Sequence, residues 1–373
     1  MIASLSRRAL VGLALILAGA TASHGQEDGP PAPGRATEAE KLAVVANAID
    51  GFIRPGYAQF HDHAAAAASA MDSLCSDPGG TELQDARGRF AALAKSWSRI
   101  EFVRFGPVME DNRLEKILFF PDRRGIALRQ IQRILGGEDE TATTQERLAG
   151  KSVAVQGLGA LEFVLHGTDA ETLATDRGGF RCTYGRAIAR NLTSIAGELD
   201  AAWSEGAGIA ARLTAPDAAD PAWRSAEDSL QEIVGIFIHG FEAIRDLRLR
   251  PAMGESAEKA KPNLFLLRRS ELALASLRAN FAGMNDLFAA SKLAGLLPEP
   301  QAYLEDSILF EFANADRTLS ELVPPLADVA SEPDKRQGLT YLLIVTDSLQ
   351  SQFAEQVSPI LGLSAGFSAL DGD

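Results

Sequence analysis

Along most of the chain, apolar residues recur every three or four positions rather than every two. Leu42, Val45, Ala46, Ile49, Phe52 and Ile53 form the first such stripe, and Thr37 with Glu40 has the spacing of a capping box that would open the helix carrying it. Pro55 is expected to kink or break that segment, and the alanine run 64–68 resumes it with side chains small enough for a neighbouring helix to come close. A second Thr–Gln box, Thr81 and Gln84, opens a helix bearing Phe90, Leu93, Trp97, Ile100 and Val103, which Gly106-Pro107 stops. Asp122 can cap a helix through Leu135, and residues 145–166 read as largely helical despite their glycines. Residues 184–213, 223–249, 264–291, 303–322 and 337–355 keep the same spacing. No stretch alternates convincingly with a period of two. The pattern predicts an all-α fold of long antiparallel helices in one or two bundles. IDGFIRPGYAQF at 49–60 and IVGIFIHGFEAI at 233–244 share an aliphatic–aromatic run, a glycine and a following aromatic, a prompt to look for two related halves.

The N-terminus departs from this grammar. Arg7 and Arg8 precede an apolar stretch from Ala9 to Ala18 and then Ala20-Thr21-Ala22, the order of a secretory signal peptide covering residues 1–22. The apolar stretch is short for a permanent membrane span, so no transmembrane helix is expected in the mature chain. Residues 23–36, SHGQEDGPPAPGRA, read as a disordered linker, leaving 37–373 as the folded domain. The chain of 373 residues carries 36 basic and 50 acidic residues, a formal charge of −14; removing Arg7 and Arg8 with the signal gives 34 − 50 = −16. Such acidity repels phosphate backbones and argues against nucleic acid as a partner. Cys75 and Cys182 are the only cysteines, and in an exported protein a lone pair favours one disulfide over a thiolate nucleophile or soft metal ligands, for which no nearby histidine speaks.

Candidate chemistry begins in VQGLGALEFVLHG, residues 155–167, where Glu162 stands alone in an apolar run interrupted by Gly157 and Gly159. Glu162 and His166, one turn apart, could each give one donor to a divalent ion, with further donors from elsewhere; the alternative is a helix-stabilising pair near a C-terminus. His239 and Glu242 have facing H-x-x-E spacing, against the alternative of a core histidine satisfied locally. His61 and His63 point apart on a helix and read as surface residues. In WSRIEFVRFGP, Trp97, Glu101 and Arg104 share a face, and burial of the two charges among aromatics calls for an internal salt bridge or a polar ligand. GLSAG at 362–366 matches a nucleophile elbow, but no histidine comes after it.

The segments WSRIEFVRFGP, RCTYGRAIARNL, GFEAIRDLRL and the ending GLSAGFSALDGD together resemble the imelysin-like family of bacterial cell-envelope proteins, from about residue 40 to the C-terminus. That resemblance implies two helical-bundle halves, roughly 37–215 and 216–373, with a groove between them. It also implies export to the periplasm or cell envelope and association with iron uptake and other envelope proteins. The family's G-x-H-x-x-E motif falls on Gly157-Leu158-Gly159-Ala160-Leu161-Glu162, so Gly157 and Glu162 match while Gly159 stands where the motif has histidine. The loss of that imidazole argues against the metallopeptidase activity assigned to some members. The expectation is therefore an exported, non-catalytic protein that binds iron or another divalent metal, or a small ligand. Glu162 would be the central carboxylate and His166, Glu101, His239 and Glu242 its companions. A divergent metallopeptidase and an adaptor for a partner protein are the alternatives.

Overall fold

The structure, a computed structural model, describes residues 36–364 apart from 123, 205, 207 and 324. The expected signal peptide, nearly all of the expected linker and the last two residues of GLSAG lie outside the described residues. Thr37 caps the first helix, α1 (Glu38–Ala48), as its spacing requires: its hydroxyl accepts from the Glu40 N–H at 3.3 Å, and Glu40 Oε2 accepts from the Thr37 N–H at 2.8 Å.

Pro55 does not break the helical path. The chain widens into a π turn, Ile49–Ile53, and runs directly into α2 (Arg54–Ser76). The wider turn makes room for a ring that a regular helix would press against the carbonyl four residues back. The same arrangement recurs at Ile244–Leu249 before Arg250-Pro251, and at Gln352–Val357 before Ser358-Pro359. In the first two, an aspartate pairs with the arginine ahead of the proline, Asp50 with Arg54 and Asp246 with Arg250. The internal likeness is thus D-x-x-x-R-P at 50–55 and 246–251. The expected pairing of 49–60 with 233–244 is out of register, because 233–243 lies in a helix ahead of its own π turn.

The remaining helices follow the apolar spacing with some changes of boundary. α3 (Gly80–Ile100) starts at Gly79 without a side-chain cap, so Thr81 is a first-turn residue and not the cap. α4 (Ile126–Gly137) is held by Asp122, whose carboxylate accepts from the N–H groups of Ile126 at 2.7 Å and Ala127 at 2.9 Å. Residues 145–166 split into short turns and α5 (Leu158–His166). Then come α6 (Phe180–Trp203), a short helix Gly208–Thr214, α7 (Ala226–Ala243), α8 (Ala273–Ser291), α9 (Tyr303–Glu321) and α10 (Gln337–Ser351). The described residues contain no strand, so the all-α expectation holds, and none of their helices is long and apolar enough to cross a membrane.

One bundle packs α2 between α3 and α6, with α5 against α6 and α3, around Tyr57, Phe60, Trp97 and Trp203. The disulfide Cys75–Cys182 ties α2 to α6 across 107 residues of sequence. A second bundle joins α7, α8, α9 and α10 around Phe241, Phe288, Phe312 and the stacked Phe237 and Phe353, whose ring centres are 4.3 Å apart. The bundles share a seam where α3 lies on α8. There Gly283 is so close that a Cβ would fall 2.2 Å from the Arg99 carbonyl oxygen. α1 packs on α7 and α8, with buried Lys41 paired to Glu227, so the leading helix forms part of the second bundle's wall. The π turn after α1 is where the chain crosses from one bundle to the other.

Candidate functional site

α5 owes its position to its glycines. A Cβ on Gly157 would sit 2.5 Å from the backbone carbonyls of Lys116 and Ile117, so only glycine lets the helix start against that segment. Gly159 is different: a Cβ there meets nothing within 4 Å, because the position opens into a cavity. Around it Leu158, Ala160, Leu161, Phe163, Val164 and Leu165 are buried, and so is Glu162.

The Glu162 carboxylate is held from across the fold. Its Oε1 accepts from the backbone N–H of Arg269 at 2.9 Å and of Ser270 at 3.0 Å, and from the Ser270 hydroxyl at 2.9 Å. The apolar spacing of 264–291 predicts one helix here, yet only 273–291 is helical. Residues 265–272 form a tight turn with left-handed backbone at Leu267 and Glu271, closed by the Leu272 N–H donating to the Leu267 carbonyl at 3.0 Å. Successive N–H groups of such a turn converge on one acceptor, and a carboxylate buried across the fold overrides the local helical preference. Glu162 is therefore the keystone of this turn, and its Oε2 takes no hydrogen bond from the described residues.

His166 does not join it. Its ring packs against Phe90, 5.8 Å between centres, on the side of α5 facing α3, and its Nε2 is buried without a partner. Burial, with the Arg87 charge added, pushes its pKa down to about 4 despite the opposing Glu171, so the imidazole is neutral near pH 7. His61, expected at the surface, is half-exposed and pairs with Asp200 of α6 at 3.1 Å. His239 lies 3.7 Å from Glu242. Among the described residues, no three of His, Cys, Asp and Glu come together in a way that could hold a metal ion.

The second constellation lies at the seam. Glu101, at the end of α3, is buried and pairs with Arg248, not with Arg104 as its spacing suggested. Asn280 of α8 donates to Glu101 Oε1 at 2.6 Å and to the Ser98 carbonyl at 2.6 Å. Arg248 donates to the Ser276 hydroxyl at 3.0 Å, and that hydroxyl shares a 2.8 Å bond with Ser98 Oγ. The π turn of 244–249 delivers Arg248 to this network. Arg104 donates to the Glu101 backbone carbonyl at 3.3 Å; burial lowers its pKa, which Glu101 and Glu115 oppose.

These charges wall a cleft of about 910 Å³ between α3, the 114–126 segment and the end of α7. Among the described residues, five acids (Glu101, Glu115, Asp122, Glu242, Asp246) and three arginines (Arg104, Arg124, Arg248) line it with Trp97, whose indole Nε1 is buried without a partner among them. The extended stretch Leu118–Asp122, with Leu247, separates it from the smaller cavity of about 370 Å³ at Gly159 and Glu162. The structure thus brings Trp97, Glu101, Arg104 and Glu242 to one cleft and places Glu162 on the far side of its wall. His239 and His166 line neither cavity. Arg248, Asn280 and the 268–270 turn do not stand out in the sequence; the arginine-rich RDLRLRP between apolar helices is the available signal for the first.

The fold accords with the comparisons. The sequence profile of the imelysin family (peptidase family M75) matches residues 53–355, and the chain belongs to that family. Its fold is similar to that of an imelysin-like protein from Psychrobacter arcticum 273-4, with a TM-score of 0.74 at 20% identity over 89% of this chain and 98% of that one. It is also similar to a protein described as a putative iron-regulated protein A precursor from Parabacteroides distasonis ATCC 8503, with a TM-score of 0.73 at 13% identity over 88% and 97%. No curated protein matches by the same measure.

Proposed function

We propose that this is an exported, non-catalytic binding protein of the cell envelope whose ligand occupies the larger cleft. The observation that carries the reading is the cleft itself, about 910 Å³ of charged wall over the buried Glu101–Arg248 pair, with an unpartnered indole N–H beside it. Buried charge and an unsatisfied donor at a cavity wall are costly in an inert core and useful in a site. Both signs of charge favour a polar ligand that carries anionic groups for Arg104 and Arg124 and cationic or hydroxyl groups for Glu115 and Glu242.

A bare divalent ion at the G-x-H-x-x-E position fits the residues poorly. Glu162 has one oxygen engaged by three donors, and His166 faces Phe90. The link to iron rests on the family resemblance and on the name of one structural relative. Iron suits the larger cleft as cargo already complexed by an anionic chelator, which would present carboxylates to the arginines. Calorimetric titration with iron(III) citrate, and separately with Fe²⁺, Fe³⁺ and Zn²⁺, tests this. Saturable binding of the complex, weakened at least tenfold in Arg104→Ala, supports the reading. Stoichiometric binding of a free ion that is lost in Glu162→Ala overturns it. The peptidase alternative requires an imidazole beside Glu162, and the described residues supply none.

The adaptor alternative has an observation of its own. Tyr303 and Phe310 on α9 and Ile344 on α10 are 60%, 64% and 60% exposed on two helices that pack together. Stoichiometric co-purification of an envelope partner, lost in Phe310→Ser, would favour it.

A further inference from the structure

The smaller cavity has a composition that neither the metal reading nor the cleft reading uses. Its body is apolar, walled by Leu118, Leu128, Ile131, Phe163, Leu264 and Phe265 among others, and its volume of about 370 Å³ falls near the lower end of small-ligand sites. The charged residues among its described lining are Asp122, Glu162, Arg268 and Arg269. Both arginines are half-buried, and neither guanidinium has a hydrogen bond or ion pair with any described residue. Arg269 has only the face of Phe163, 5.2 Å from the ring centre. Burial and the neighbouring Arg268 lower the pKa of Arg269 against the opposing charge of Glu162, so a cation is being desolvated there without a direct ion pair.

Neither carboxylate of the described lining pairs with these guanidiniums. Glu162 Oε1 is engaged by the backbone and hydroxyl of the turn that carries them, and the two Asp122 oxygens accept from the N–H groups of Ile126 and Ala127. Two guanidiniums are left without a hydrogen-bonding partner among the described residues, beside an oily chamber. We infer that the cavity beside Gly159 binds an amphipathic monoanion, a single acyl chain whose carboxylate meets Arg268 and Arg269 while its hydrocarbon fills the apolar body. A small inorganic anion would satisfy the arginines and leave the apolar walls empty; a neutral hydrocarbon would do the reverse.

Gly159 sets the space for the chain. It lines the cavity, and a Cβ there meets nothing within 4 Å, so the side chain of Gly159→Leu starts into open space and is expected to fill the chamber. Isothermal titration of the mature protein with hexanoate, octanoate and decanoate, all below their micellar range, reads the site directly. Affinity is expected to rise about fourfold per added methylene until the chamber is full. Decanol and decyltrimethylammonium are expected to bind at least tenfold more weakly than decanoate, and inorganic phosphate not measurably. Gly159→Leu should abolish decanoate binding with an unchanged circular-dichroism spectrum, and the Arg268→Gln/Arg269→Gln pair should remove the preference for decanoate over decanol. Equal affinity for the three ten-carbon probes, decanoate binding unaltered in Gly159→Leu, or no saturable binding by any acyl chain would each overturn the inference. The iron(III) citrate titration reports on the other side of the Leu118–Asp122 wall, so the two readings fail separately.

Discussion

Alanine at position 157 would drive its methyl into two backbone carbonyls that belong to another segment and cannot turn aside, whereas alanine at position 159 would project into open space. Gly157→Ala is therefore expected to cost about 3 kcal/mol or to displace the start of α5. Gly159→Ala should be neutral or stabilising by up to about 1 kcal/mol through helix propensity. Urea denaturation of both variants separates the two roles. Glu101→Ala leaves Arg248 buried without its counter-charge, and a loss of about 3–5 kcal/mol is expected in the same measurement. His166 gives a pH signature. Its folded pKa, about 4, lies below the ordinary 6.5, so the unfolded chain takes up a proton that the folded chain refuses between those values. Stability then falls as pH drops from 6.5 to 4 and is unaffected by this group above that window. The ring is only partly buried, so the effect, discounted for solvent, is about 1–2 kcal/mol. Melting temperatures at pH 7 and pH 4.5 should fall less in His166→Gln than in the parent.

Among the elements, helices whose signal is local are legible in the sequence. The Thr37–Glu40 box and the Asp122 cap act within a few residues, and both form as their spacing requires. The disulfide agrees with two cysteines and a signal-like N-terminus. The features that escape a sequence reading have distant causes. Residues 264–272 keep helical spacing, yet Glu162, more than a hundred positions away, folds them into a turn. Glu101 has Arg104 on its own segment and takes Arg248 from another helix instead. Pro55 carries the local signal of a helix break, and the π turn absorbs it because the helices on either side are both packed, α1 in the second bundle and α2 in the first. The Cys75–Cys182 bridge closes a separation of 107 residues, for which chain entropy gives about 3–5 kcal/mol. Cys75→Ser/Cys182→Ser should lower the melting temperature by roughly 5–10 °C without altering the helical circular-dichroism signal.

Over the whole molecule, the boundary expected near residue 215 is crossed repeatedly. α1 stands in the wall of the second bundle and α3 lies on α8 along a seam with buried polar groups, so separating the halves would expose the Glu101–Arg248 network as well as apolar surface. A single calorimetric transition is expected for residues 37–373, and a fragment ending at residue 215 should not fold alone. Two well-resolved transitions would show the halves to be independent. Gly283→Ala tests the seam: its methyl meets the Arg99 backbone, and the expected outcome is a lower melting temperature for the whole protein, not for one part of it. The cleft sits on this seam. A ligand bound there would touch both bundles and raise the single transition.

The bridge between α2 and α6 carries a last consequence, for the order of events. Cys75 is 5% exposed and Cys182 is 1% exposed, so once the two helices have docked, neither glutathione nor an oxidising enzyme has a route to the sulfurs. The covalent link has to be made while the helices are still apart or arriving. A chain that folds first in reducing surroundings would seal its thiols inside and keep them through later oxidation, so the purified protein would record where it folded.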